Sequence, residues 1–164
     1  MSDDGQFGPW VSEEAKARFN AYLTESAAPA DLAEARPFFR AYNQRLLDKA
    51  QAIHAVDIAD REIAGVKVYD VQPAGGAPDA PVLICLHGGA FMWGEGPGAL
   101  LEAVPIAAIA GIRVVAVDYR LAPEHVYPAA VEDVLAVYRA LVETVDAARI
   151  GIYGCSAGAV LTTQ

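Results

Sequence analysis

Residues 154–158 read Gly154-Cys155-Ser156-Ala157-Gly158 and follow a short strand-like run, Arg149-Ile150-Gly151-Ile152-Tyr153. A G-x-S-x-G pentapeptide leaving a strand is the pattern of a nucleophile elbow. The serine sits in a tight strand-to-helix turn, and the flanking glycines are needed because side chains there would collide with neighbouring backbone. Ser156 is therefore a candidate nucleophile for acyl transfer. A hydroxyl in that role needs a base to take its proton and an acid to orient the base, and in this arrangement both are expected after the serine. The eight residues that follow, Ala157 to Gln164, contain no Asp, Glu or His.

Two further segments bear on the same chemistry. His87-Gly88-Gly89-Ala90-Phe91 directly follows the continuous apolar run Val82–Leu86. Consecutive glycines let backbone N–H groups turn into a cleft, where they can stabilise a developing oxyanion; taken alone, the segment reads as a plain glycine turn. Asp118-Tyr119-Arg120-Leu121-Ala122-Pro123-Glu124-His125 follows a second apolar run, Ile112–Val117.

These three segments, in this order and each at a strand end, resemble the hormone-sensitive-lipase-like (bacterial family IV) esterases of the α/β-hydrolase fold. That family pairs an H-G-G-G-type oxyanion motif with a Y-R-L-A-P-E stretch and a G-D-S-A-G-G elbow. The resemblance covers about residues 56–164; the N-terminal helices match the family's cap in kind only. It implies a carboxylesterase or lipase-type serine hydrolase acting through an acyl-enzyme on small hydrophobic esters; a cytoplasmic location is expected from the composition, the N-terminus and the cysteine usage instead. Ser156 would be the nucleophile, and the backbone N–H groups of Gly88, Gly89 and Ala157 the oxyanion hole. His87 would support the oxyanion loop; no cofactor and no metal are implied. His54 and His125 lie upstream of the serine, out of the family's triad order, and read as structural. Three departures stand out: Ala90 and Ala159 replace glycines, and Cys155 replaces the acid beside the serine. The triad Asp and His are absent, so the chain is expected to be the N-terminal part of a longer hydrolase, inactive by itself. The resemblance allows a homodimer of that parent.

The elements that would position these residues can be read from periodicity. Residues 12–26 form an amphipathic helix, with Ser12 as cap, Glu13 and Glu14 at its positive end, and Ala15, Phe19, Tyr22 and Leu23 on one face. Asp31 and Glu34 resemble a capping box opening a second helical region to about Ala52, which Pro37 kinks or restarts. Val56–Ile63 and Val66–Val71 alternate about Ala64-Gly65 as a hairpin. After a Gly/Pro loop from Pro73 to Pro81, strands at Val82–Leu86, Ile112–Val117 and Arg149–Tyr153 alternate with helices at Leu100–Ala110 and Pro128–Val145. The second of these helices carries Val131, Val134, Leu135, Tyr138, Leu141, Val142 and Val145 at helical spacing. Alternating strands and helices indicate βαβ units and a mainly parallel sheet covered on both faces. The expected division is a helical cap segment over residues 1–55 and part of an α/β-hydrolase domain over residues 56–164.

Composition is compatible with this. The chain has 164 residues, 54% hydrophobic and 20% charged, enough to bury a core and too apolar for disorder. Its net charge of −9 disfavours nucleic acid and anionic membranes as partners. The acidic N-terminus is unlike a secretory signal, no apolar stretch is long enough to span a membrane, and Cys85 and Cys155 are expected to be buried free thiols. Two rival readings are weaker. Gly94-Glu95-Gly96-Pro97-Gly98-Ala99, with Asp118 about twenty residues on, approaches a dinucleotide-binding fingerprint, but seven residues separate the strand from its first glycine and Pro97 removes a donor. A catalytically inactive or scaffolding relative would keep the fold without turnover. Scattered His and Cys suggest no metal site, and the carboxylate pairs Asp3/Asp4, Glu13/Glu14 and Glu132/Asp133 sit on exposed stretches that give glycosidase chemistry no foundation.

Overall fold

The computed structural model describes residues 7–24, 28–76 and 80–164. Two helices come first, α1 (Glu13–Thr24) and α2 (Leu32–Ile53), followed by the hairpin β1 (Val56–Ile63) and β2 (Val66–Pro73). Then β3 (Val82–Leu86), α3 (Pro97–Ala110), β4 (Arg113–Val117), α4 (Ala129–Val142), β5 (Ile150–Gly154) and α5 (Ala157–Leu161) alternate, with a 3₁₀ turn at Ala147–Arg149. One five-stranded sheet runs in the order β1-β2-β4-β3-β5. The β1–β2 and β2–β4 pairs are antiparallel; β4, β3 and β5 are parallel. Among the described residues no helix is long and apolar enough to cross a membrane.

Strand alternation sends side chains to two separate cores. Val82, Ile84 and Leu86 of β3 face Val134, Val137 and Leu141 of α4 and Leu161 of α5. Cys85, with Val114 and Ala116 of β4, faces Leu47 of α2 and Ala103, Val104 and Ala107 of α3. Both faces of the central strands are thus dry, which is why they read as unbroken apolar runs. Asp70 of β2 is 4% exposed, and Arg113 donates to its Oδ1 at 2.8 Å while Arg61 donates to its Oδ2 at 3.2 Å.

Several boundaries differ from the sequence expectation. Asp31 caps α2 by accepting from the N–H of Ala33 at 2.9 Å, but the helix does not restart at Pro37. Residues on both sides of the proline, Ala35 and Leu47, are buried, and tertiary packing of this kind outweighs one lost backbone bond. Helix α3 begins at Pro97, three residues earlier than expected, with a proline in the first turn where its missing N–H costs nothing. On α4, Leu135 and Val142 face outward at 42% and 36% exposure, and Val137, outside the expected stripe, is fully buried. The expected apolar face of α1 is largely open, with Tyr22 65% and Leu23 59% exposed. Residues 25 and 26 of that expected helix lie outside the described residues, as do Met1–Gln6 and the middle of the Gly/Pro loop.

The connection leaving β3 goes to a helix on one face of the sheet, and the one leaving β5 goes to a helix on the other. Between the carboxyl ends of these neighbouring strands lies a crevice, the position at which α/β sheets bind ligands.

Candidate active site

Ser156 stands at the end of β5 with φ 51° and ψ −116°, a conformation strained for any residue with a side chain. What forces the turn is the proximity of backbone on every side. A Cβ on Gly154 would lie 2.6 Å from the Leu86 carbonyl oxygen, and one on Gly158 would lie 2.7 Å from that of His87 and closer still to Leu86. Glycine at both positions lets α5 seat directly on the end of β3. Ser156 is exposed, and Ala157 beside it is buried.

The segment after β3 turns back against this elbow. A Cβ on Gly88 would be 3.1 Å from the Cys155 carbonyl oxygen and 3.3 Å from Ser156 Cβ, so Gly88 faces the elbow across the crevice with little room for a side chain between them. Among the described residues no hydrogen bond takes up the N–H of Gly88 or Gly89. Gly89 has φ 124° and abuts the Trp93 backbone; its carbonyl accepts from the N–H groups of Met92 at 2.9 Å and Trp93 at 3.0 Å. Ala90 and Phe91 both have positive φ, 53° and 62°. The Ala90 methyl group is exposed, away from the packed side of the loop.

His87 is 3% exposed and stacks on Tyr119 at 4.1 Å between ring centroids. Its Nδ1–H donates to the Gly88 carbonyl at 2.7 Å, which fixes the neutral tautomer with a bare Nε2, and that Nε2 has no partner among the described residues. Tyr119 donates to the His87 carbonyl at 2.6 Å. Burial holds the His87 pKa below its ordinary value, against the pull of Asp118 and Glu95. The unfolded chain therefore takes up a proton that the folded one resists. This contribution to stability is intact above about pH 6.5 and declines as the pH falls below it, by at most about 1.4 kcal/mol per pH unit. Urea unfolding at pH 7 and pH 5 should show wild type losing more stability than His87→Asn; parallel losses would refute it.

Asp118 answers the dinucleotide alternative. Its Oδ1 accepts from the N–H of Gly96 at 3.0 Å, at the start of α3. The acid and the glycine turn of that fingerprint are thus bonded to each other, with a carboxylate where a phosphate would need to sit. Asp118 also accepts from Tyr69 at 3.2 Å and pairs with Lys67 at 3.4 Å. Asp133 is not on an exposed stretch as expected: it is 5% exposed and accepts from the Arg120 backbone N–H and the Arg120 Nε, both at 2.8 Å. Cys155 is exposed, contrary to expectation, because its side chain lies on the open rim beside Glu102, whose hydrogen bond raises the thiol pKa. Cys85 is buried, and burial pushes its pKa to about 12.

A cavity of about 280 Å³ opens beside the elbow, walled by Phe39, Trp93 and Leu101 and bordered by Gly88, Glu102 and Cys155. Trp93 stacks on Phe39 of α2 at 4.7 Å, so it both lines the cavity and packs on the N-terminal helices; Phe91 instead joins the core beneath α4. The structure also brings in a residue that periodicity gave no reason to single out, Arg36 of α2, which bonds to the Met92 carbonyl at 2.7 Å. Neither His54 nor His125 is bonded to Ser156 among the described residues, and His125 is exposed.

Residues 83–164, half of the chain, match the family model described as the α/β hydrolase fold. Esterase LipI of Mycobacterium tuberculosis is 37% identical over 134 residues, 74% of this chain and 42% of that protein. A hyperthermophilic esterase from the archaeon Pyrobaculum calidifontis is similar at a TM-score of 0.77 and 28% identity, covering 92% of this chain and 51% of that one. A hormone-sensitive lipase from a metagenome library is similar at a TM-score of 0.74 and 31% identity, covering 90% of this chain and 49% of that one. The chain spans about half the length, or less, of these relatives.

Proposed function

The chain belongs to the α/β-hydrolase fold family, among the hormone-sensitive-lipase-like esterases, and on that premise we propose that it carries the nucleophile and oxyanion donors of a carboxylic ester hydrolase. The observation that carries this reading is the close approach of Gly88 to the Cys155–Ser156 turn across the carboxyl ends of β3 and β5. Ser156 Oγ attacks the ester carbonyl carbon. The charge that develops on the carbonyl oxygen is received by the N–H groups of Gly88, Gly89 and Ala157, each such donor contributing about 2.7–4 kcal/mol of barrier lowering. The proton lost from the Ser156 hydroxyl passes through a general base, which no described residue supplies, to the departing alkoxide, and water then releases the acid from the acyl-enzyme and returns a proton to Ser156. The cavity walled by Phe39, Trp93 and Leu101 favours small hydrophobic esters. Residues 1–55 act as the cap segment, a role supported by the seating of Arg36 and Phe39 on the loop after β3.

The second reading is a fold that persists without turnover. The two are separated by incubation with a p-nitrophenyl alkylphosphonate and by hydrolysis of a short-chain p-nitrophenyl ester, each beside Ser156→Ala. Modification of Ser156 found by peptide mass spectrometry, with turnover lost in Ser156→Ala, is the expected result for the hydrolase. No turnover in either protein shows this chain to be inactive by itself, as expected where neither base nor acid follows Ser156, and labelling of Ser156 then decides between the two readings. Equal turnover in both would overturn Ser156 as nucleophile.

A further inference from the structure

The loop from Gly88 to Gly96 is an unusual stretch of backbone. Gly89, Ala90, Phe91, Gly94 and Gly96 all have positive φ, and two of these are not glycine. A backbone of this kind persists only where its surroundings over-determine it. Its inner bonds, from Met92 and Trp93 to the Gly89 carbonyl, close the turn on itself but tie it to nothing else. Its two ends are held by the His87 bond to the Gly88 carbonyl and the Gly96 bond to Asp118, and the turn between them has further ties. The Ala122 N–H donates to the Phe91 carbonyl at 2.8 Å, joining the loop to the Arg120–Glu124 stretch. Arg36 of α2 holds both strands of that junction. Its Nε donates to the Met92 carbonyl at 2.7 Å and its Nη2 to the Ala122 carbonyl at 2.7 Å. The rest of the guanidinium fork engages Glu124 bidentately, Nη1 to Oε1 at 2.8 Å and Nη2 to Oε2 at 2.7 Å.

From this geometry we infer that Arg36 is the positioning residue of the oxyanion loop, locking the N-terminal helix α2, the Phe91–Met92 turn and the Ala122–Glu124 stretch into one unit that sets Gly88 against Ser156. The inference rests on the ester-hydrolase reading given above. A planar fork with donors in two directions is what the site requires: one edge grips a carboxylate while the remaining N–H groups reach two carbonyls, and an ammonium cannot span all four acceptors. Glu124 is the anchor that orients the fork; hydrogen bonding to Arg36 lowers its pKa to about 2, so it stays ionised throughout the neutral range. Phe39, one turn along α2, stacks on Trp93 and fixes the far end of the same loop. Arg36 does not touch the reacting atoms and acts only through the peptide groups it holds.

The test uses two measurements on the whole chain carrying Arg36→Met, Arg36→Lys or Glu124→Gln. In amide hydrogen exchange, Arg36→Met is expected to speed exchange at Met92, Trp93 and Ala122 by about tenfold or more, leaving Ile84 and Val115 in the sheet unchanged. In phosphonylation of Ser156, the maximal rate should fall about 10- to 100-fold with the half-saturating concentration nearly constant, since the loop acts on the transition state. Arg36→Lys and Glu124→Gln should fall between wild type and Arg36→Met. Unchanged exchange at the three loop amides, or equal acceleration through β3 and β4, would overturn the inference, as would a loss confined to the half-saturating concentration. If wild type is not phosphonylated at Ser156, that result bears on the ester-hydrolase reading and on the base this chain lacks, and the exchange pattern alone decides whether Arg36 holds the loop.

Discussion

Exchange of Ser156 for glycine is expected to abolish phosphonate labelling of the elbow while making the protein more stable. The two effects have separate origins in one residue. On the proposed reading the hydroxyl is the nucleophile, and losing a serine of this type costs at least about ten-thousand-fold in rate. Its backbone, at φ 51° and ψ −116°, is strained by the presence of Cβ. Relief of about 1–3 kcal/mol, less the roughly 0.5–1 kcal/mol by which glycine raises unfolded-state entropy, leaves a net gain of about 1 kcal/mol. Thermal unfolding should shift upward by about 3 °C for a chain of this size. Ser156→Ala, which keeps Cβ, should lose labelling without that rise. A lower midpoint for the glycine variant would show that the turn is not strained, and labelling that survives in both would move the nucleophile elsewhere.

Gly158→Ala is expected to be among the most damaging single methyl additions at the described residues. The added Cβ would lie 2.5 Å from the Leu86 carbonyl carbon and 2.7 Å from the His87 carbonyl oxygen. Both are backbone atoms at the end of a central strand, so no side chain can swing away to make room. Helix α5 must lift from β3, carrying the Ala157 N–H away from Gly88. A loss of about 3 kcal/mol is expected, read as a lower urea midpoint at unchanged slope. Ser156 labelling in the folded fraction should drop about 100-fold or more, the cost of one displaced oxyanion donor. Ala159→Gly, one position on and half-buried, is the control: it removes a methyl and should cost only about 1 kcal/mol of helix propensity. Equal effects from the two substitutions would refute the close approach.

What could be read from sequence, and what could not, follows the range of the interactions involved. Strand β3 was legible to the residue, because burial on both faces leaves an unbroken apolar run between turn residues. The hairpin at Ala64-Gly65 was equally plain, its periodicity switching at a glycine with φ 81°. Even the placement of Ser156 and the pressure for glycine at 154 and 158 followed from a local pentapeptide. The start of α3 did not, because Asp118 reaches back from the end of β4 to bind the Gly96 N–H, a contact between residues 22 apart. Asp133 looked like one more surface acid on a helix; only its bonds to Arg120, 13 residues upstream, make it a buried anchor. Arg36 is the extreme case. Its partners Met92, Ala122 and Glu124 lie 56 to 88 residues away, and no spacing within α2 distinguishes it from Arg40 or Arg45. Cys155 shows the converse: its neighbours in sequence suggested an interior thiol, but the sulfur lies at the open rim.

The strand order β1-β2-β4-β3-β5 also dictates a sequence of assembly. As the chain leaves the ribosome, the hairpin can pair at once, its partners being adjacent in sequence. Strand β3 emerges next with nothing to pair against, since its place in the sheet is beyond β4. It must wait for the α3 crossover to deliver β4, which then bridges the hairpin and β3 together. Only after a second, longer excursion through α4, on the opposite face, does β5 arrive to close the other side of β3. Because the elbow is seated on Leu86 and His87, the strained turn at Ser156 has nothing to close upon until β5 docks beside β3. The turn at Ser156 therefore forms after the four strands that precede β5 in the chain.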